Sequence, residues 1–141
     1  MKKDLIKDWM TRDVTTIEPG TNVPEAHRIM TQNNIRRLPV LDGDKLVGIV
    51  TRGDVRGAEA SDATSLSIWE LNYLLSRLEI SKVMTKRPIT ISAESTIREA
   101  AQTMLDNKIS GLPVVDERGK VVGIITESDI FRLVVSAWSQ A

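Results

Sequence analysis

Apolar and polar positions along this chain follow a strand period, a helix period and a strand period again, and the whole succession is written twice. The β-branched runs Val14-Thr15-Thr16-Ile17 and Ile89-Thr90-Ile91 predict short strands. Each precedes a helix-start signature, Asn22-Val23-Pro24-Glu25 or Thr96-Ile97-Arg98-Glu99, with a capping residue and a glutamate three places on. Pro24 sits in the first turn, where its missing N–H does no harm. Val23, Ala26 and Met30, like Ile97, Ala100, Ala101 and Met104, then recur at helical spacing and predict one core-facing side on each helix. Leu38-Pro39-Val40-Leu41 and Leu46-Val47-Gly48-Ile49-Val50, separated by Asp42-Gly43-Asp44-Lys45, predict a β-hairpin, and the same arrangement recurs around Asp116 to Lys120. A further helix is predicted after Thr51 and after Thr126.

These parallels are a true internal repeat. Met10-Thr11 matches Met84-Thr85, and the same offset carries Thr16-Ile17, Glu25-Ala26, Met30, Asn33, Ile35, Leu38-Pro39-Val40 and Asp42 onto identical residues. After one extra residue in the second hairpin loop, Val47-Gly48-Ile49, Thr51 and Asp54 fall on Val122-Gly123-Ile124, Thr126 and Asp129. Each unit therefore reads strand, helix, strand, strand, helix. A half of this size is marginal as a core and leaves one sheet face bare. The expected fold class is α+β, with the two β-α-β-β-α repeats packed sheet to sheet in pseudo-twofold symmetry. The expected boundaries are residues 4–60 and 81–138, joined by a connecting helix within 61–80. In that connection Ile68, Leu71, Leu75 and Leu78 recur at helical spacing beside Trp69 and Tyr73, and the polar run Ser61-Asp62-Ala63-Thr64-Ser65 is expected to supply the cap.

Composition narrows the chemistry. The chain has 141 residues, 41% hydrophobic and 27% charged, which suits one compact domain-sized unit rather than a disordered segment. Nineteen cationic side chains balance nineteen anionic ones, so the electrostatic driver of nonspecific nucleic-acid binding is missing, and nucleic acid is not expected as a main partner. With no cysteine there is no disulfide, zinc–thiolate site or thiol nucleophile, which agrees with a reducing cytoplasm. No apolar run approaches membrane-spanning length, so no membrane association is expected. The single histidine, His27, has no companions at metal spacing and is assigned no role. No Walker-type phosphate loop is present, and neither enzyme activity, catalytic residue, catalytic cofactor nor metal site is expected.

The tandem landmarks, Met-Thr, then Leu-Pro-Val, then Gly48-Ile49-Val50-Thr51-Arg52-Gly53-Asp54 and Gly123-Ile124-Ile125-Thr126-Glu127-Ser128-Asp129, resemble a pair of CBS domains, the regulatory unit named for cystathionine β-synthase. The resemblance covers roughly Asp4 to Trp138. The stretch ATSLSIWELNYLL, from Ala63 to Leu75, is similar to the inter-repeat segment of acetoin-utilisation-type CBS proteins. Those often carry an added ACT-like domain, for which a chain of this length is expected to have no room.

The resemblance implies binding of an adenosine-containing ligand, AMP, ADP, ATP or S-adenosylmethionine, in clefts between the repeats, with the binding passed to a partner. It implies that Asp54 and Asp129 accept hydrogen bonds from ribose hydroxyls and that Thr51 and Thr126 face phosphate. Both roles make chemical sense, since a carboxylate can take both hydroxyls of a vicinal diol and a helix start favours an anion. Ile17, Ile35 and Pro39, with Ile91, Ile109 and Pro113 in the other repeat, are candidate adenine walls. Arg36 and Arg37 are candidate phosphate donors. Ser110-Gly111 stands in their place in the second repeat, so unequal sites are expected. Each reading has a structural alternative: Thr-x-x-Asp is also an ordinary capping pattern, and Arg36 and Arg37 also suit a solvated strand end.

Trp9, Trp69 and Trp138 fall before, between and after the repeats, and suit either satellite packing or self-association. The last helix, near Ser128 to Trp138, is apolar over more than one stripe, which favours a homodimer formed through the connecting and terminal helices. The leading expectation is a stand-alone regulatory module for an adenosyl ligand, with an unidentified regulated protein as a further partner. The alternative is a ligand-independent interaction or dimerisation module.

Overall fold

The computed structural model describes residues 4–61 and 66–139. Among the described residues there are five α-helices, α1 (Val23–Asn33), α2 (Arg52–Ser61), α3 (Ile68–Arg77), α4 (Ile97–Asn107) and α5 (Glu127–Ser139). The strands are β1 (Arg37–Asp42), β2 (Lys45–Thr51), β3 (Thr85–Lys86), β4 (Ile91–Ser92), β5 (Gly111–Val115) and β6 (Val121–Thr126). They form two three-stranded sheets, ordered β1-β2-β3 and β4-β5-β6. The architecture is α+β, and each predicted helix and each predicted hairpin is found.

The chain divides into two compact units, and these are not the two sequence repeats. One is Thr15–Pro88; the other joins 89–139 to the N-terminal segment 4–14. The opening segment of each repeat has therefore left its own hairpin. Ile6, in a single 3-10 turn, is fully buried among Ile97, Ala100, Leu112, Val114 and Ile125 of the second repeat. Its N–H donates to the Ser95 carbonyl, and Thr11 exchanges both backbone bonds with Ile124 at 2.9 Å. In the other unit Ile80, in the matching 3-10 turn, is fully buried with Val23, Met30, Leu38, Val40 and Val50, and β3 pairs antiparallel with β2.

Both glycines of the Val-Gly-Ile triplets are required by this exchange. A Cβ at Gly48 would overlap Met84 Sδ and lie 2.8 Å from its Cγ and 3.0 Å from the Thr85 carbonyl oxygen. A Cβ at Gly123 would meet Met10 and the Thr11 carbonyl in the same way.

The caps predicted at Asn22 and Thr96 are made. Asn22 Oδ1 accepts the Glu25 N–H at 2.9 Å, and Thr96 Oγ1 accepts the Glu99 N–H at 3.1 Å. The Glu25 carboxylate turns to Arg28 instead of closing back on Asn22, and that guanidinium holds its carboxyl below the usual glutamate range. The tight first hairpin turn places Gly43 at φ 62°, a left-handed conformation that suits glycine. In the longer second turn Gly119 has φ 80°, and Asp116 accepts the N–H groups of Arg118 and Lys120.

Four expectations need correction. The strand expected over Val14–Ile17 reduces to a parallel bridge from Ile17 to Val40, the one position of the run that pairs with the hairpin. The strand expected over Ile89–Ile91 starts only at Ile91, which pairs with Val114. The cap of α3 is Ser67, whose hydroxyl accepts the Glu70 N–H at 3.2 Å; residues 62–65 of the run expected to cap it lie outside the described residues. Ile68, expected on the buried stripe, is exposed, while Leu71, Leu75 and Leu78 pack on the first core.

Candidate functional site

The signature residues sit where a hairpin's second strand runs directly into a helix, β2 into α2 and β6 into α5. Register makes the junction. Arg37 lies opposite Thr51 on the β1–β2 ladder, and Gly111 lies opposite Thr126 on β5–β6. One residue on, the Arg52 N–H donates to the Arg36 carbonyl at 2.7 Å and the Glu127 N–H to the Ser110 carbonyl at 3.0 Å. The helix N-terminus of each unit is thereby fastened beside the loop that enters its hairpin.

Both Thr-x-x-Asp pairs make capping bonds, so the ordinary structural role is realised. Asp54 Oδ2 accepts the Thr51 N–H at 2.9 Å, and Thr51 Oγ1 accepts the Asp54 N–H at 3.1 Å. This does not exhaust the carboxylate, which has about four acceptor positions. The second copy is bound differently. Asp129 is buried, and its Oδ2 accepts both the N–H and the hydroxyl of Thr126, at 2.9 and 3.1 Å. Its Oδ1 accepts Arg132 Nη1 at 2.6 Å. Arg132 was not foreseen as a site residue, although its place three residues beyond Asp129 on one helix face was the available signal. Gly57 holds the corresponding place in the first repeat.

Of the expected adenine walls, Ile17 and Pro39 are buried and Ile35 packs partly buried against the same first core. In the second unit Pro113 is buried, and Ile91 and Ile109 pack partly buried against its core. Arg36 is exposed and Arg37 half-buried, whereas Ser110 and Gly111 are both half-buried. Among the described residues no group of three His, Asp or Glu side chains is placed to hold a metal ion. His27 lies on exposed α1 surface with Nδ1 3.3 Å from the Glu59 carboxylate.

Two shallow apolar grooves lie elsewhere. One on α3 is lined by Leu66, Trp69, Glu70, Tyr73 and Leu74, and one on α5 by Ser128, Phe131, Arg132, Val135 and Ser136. Trp69 is 80% exposed and Trp138 75%, whereas Trp9 packs partly buried against the second core.

The CBS domain is matched twice, over residues 6–61 and 80–136. The chain belongs to the CBS domain family. It carries two CBS domains in tandem, and its fold agrees with solved CBS pairs. The crystallised CBS domain pair of protein MJ0100, in complex with 5′-methylthioadenosine and S-adenosyl-L-methionine, is 32% identical, with a TM-score of 0.82 over 96% of this chain and 99% of that one. CBSX2 in complex with AMP is 25% identical, with a TM-score of 0.79 over 95% and 98% of the two chains. In sequence, the inosine-5′-monophosphate dehydrogenase of Korarchaeum cryptofilum is 41% identical over 89% of this chain, but this CBS pair spans only 23% of that enzyme's length.

Proposed function

We propose that this CBS pair binds an adenosine-containing ligand through Thr51 and Asp54 in one repeat and Thr126 and Asp129 in the other, and signals by a change of conformation. The observation that carries the reading is the duplicated strand-to-helix junction, in which a threonine N–H holds an aspartate carboxylate at 2.9 Å in both units. A carboxylate held in this way is oriented for a ribose diol, and the adjacent helix start favours phosphate. AMP in CBSX2 and the two adenosyl compounds in the MJ0100 pair support the ligand class. The apolar and proline side chains beside each junction are the proposed adenine contacts, with Arg36 and Arg37 toward phosphate. Signalling requires only that the ligand favour one arrangement of the protein and that a partner discriminate between arrangements. No catalytic step enters, and a cytoplasmic setting is part of the proposal.

A thermal-shift panel with AMP, ADP, ATP, S-adenosylmethionine and adenosine, with GTP as the base control, tests this. A ligand at a hundredfold over its dissociation constant adds about 2.7 kcal/mol, a rise of several degrees. The expected result is a shift with an adenosyl ligand and none with GTP, abolished when Asp54→Ala and Asp129→Ala are combined without loss of fold. No shift with any adenosyl compound would defeat the reading.

A second reading, an interaction module independent of ligand, is favoured by the exposed apolar faces of α3 and α5. Homodimerisation through those faces is compatible with either reading.

A further inference from the structure

The two junctions share a backbone and carry opposite chemistry. The bond from residue 52 to residue 36 sets Arg52 beside Arg36, and the equivalent bond from residue 127 to residue 110 sets Glu127 beside Ser110. Arg52 is half-buried, with Nη2 3.3 Å from the Ile35 carbonyl, so its stem is held along the loop that leads into β1. Around the first junction Arg36, Arg37 and Arg52 outnumber Asp54. Around the second, Glu127 and Asp129 balance Lys108 and Arg132, and the Arg132 charge is already engaged by Asp129.

Helix electrostatics sharpens the contrast. A helix N-terminus carries partial positive charge, so an acid there is favourable and a base unfavourable. α5 begins with Glu127, which suits its helix unaided. α2 begins with Arg52, a local mismatch that an anion bound at the same place would cancel.

Resting on the reading that both junctions are adenosyl sites, we propose that they are specialised by charge: the Thr51–Asp54 junction takes a phosphate-bearing adenosine and the Thr126–Asp129 junction an adenosine without phosphate. Arg36 and Arg52 supply the charge-assisted donors that a phosphate needs, and Glu127 repels one. Asp129 already accepts three hydrogen bonds, so a ribose diol there displaces Arg132 from Oδ1, whereas Asp54 accepts one and keeps its other positions open.

Calorimetry on the full chain, with AMP and 5′-methylthioadenosine as probes at low and high salt, tests the assignment. Asp54→Ala and Asp129→Ala locate each binding event. AMP binding is expected to be lost with Asp54→Ala, to weaken about tenfold with Arg52→Glu, and to fall with salt, while 5′-methylthioadenosine changes little. Glu127→Arg, at an exposed position that leaves the core untouched, is expected to create AMP binding that Asp129→Ala removes. If both probes bind but AMP ignores Arg52→Glu and Glu127→Arg, the specialisation is wrong and the adenosyl reading survives. If neither probe binds the unaltered protein, the specialisation falls, and the adenosyl reading falls with it only when the thermal-shift panel also shows no shift.

Discussion

Gly48 and Gly123 show how much a single missing side chain decides. Each sits on the second strand of its hairpin where a methionine from the exchanged segment crosses it, and an added methyl would collide with the Met84 or Met10 side chain and press on a backbone carbonyl at 3.0 Å. Overpacking of this kind typically costs 1–3 kcal/mol. Gly48→Ala and Gly123→Ala are each expected to lower stability by about 2 kcal/mol in chemical denaturation. Shortening the methionine in the double variants should restore only part of the loss, because the carbonyl contact remains. Full tolerance of both alanines would show that the methionines move aside freely. The aspartates of the two junctions were visible in the sequence at the same scale, because Thr-x-x-Asp recurs in both copies. Their unequal bonding was not, since the Arg132 contact depends on how α5 presents its first turns.

Helices read well from the chain and short strands did not. A capping residue, a glutamate three places on and one apolar face at helical spacing are local signals, and Asn22–Met30 and Thr96–Met104 carry all of them. Ile17 and Ile91 instead take their strand character from Val40 and Val114, partners distant in the chain that no local pattern announces. The terminal helix posed a different problem. Its apolar breadth was evident, and the structure divides it: Ile130 and Leu133 pack on the core, whereas Phe131, Val135 and Trp138 are exposed. On α3 the same holds for Ile68, Trp69, Tyr73 and Leu74, all exposed. Such exposed aromatic faces suit an interface between copies. Sedimentation at tens of micromolar is expected to show a dimer, and Trp69→Ser combined with Phe131→Ser and Trp138→Ser a folded monomer. A monomeric unaltered protein would remove the proposal.

Over the whole molecule, the unit of sequence is not the unit of packing. Ile6 opens the first repeat yet is fully buried in the core of the second, so its loss should be felt far along the chain. Ile6→Ala is expected to destabilise by roughly 2–5 kcal/mol, the usual range for a buried isoleucine cut to alanine. Hydrogen exchange should then show β5 and β6 losing protection first, with β1 and β2 little changed. Loss confined to β1 and β2 would contradict the exchanged arrangement.

By itself the sequence determined the repeat, the α+β class, the helices with their caps, the hairpins and the pair of junction aspartates. All of these depend on residues within a few positions of one another, or on a pattern that occurs twice. Tertiary structure alone decided which core each opening segment enters, which strands shorten to a bridge, how the junction aspartates are differently held, and which apolar helix faces remain exposed. Those outcomes are set by packing and hydrogen bonding between segments far apart in the chain. A local pattern records that an apolar residue must be buried, but not which partner will bury it.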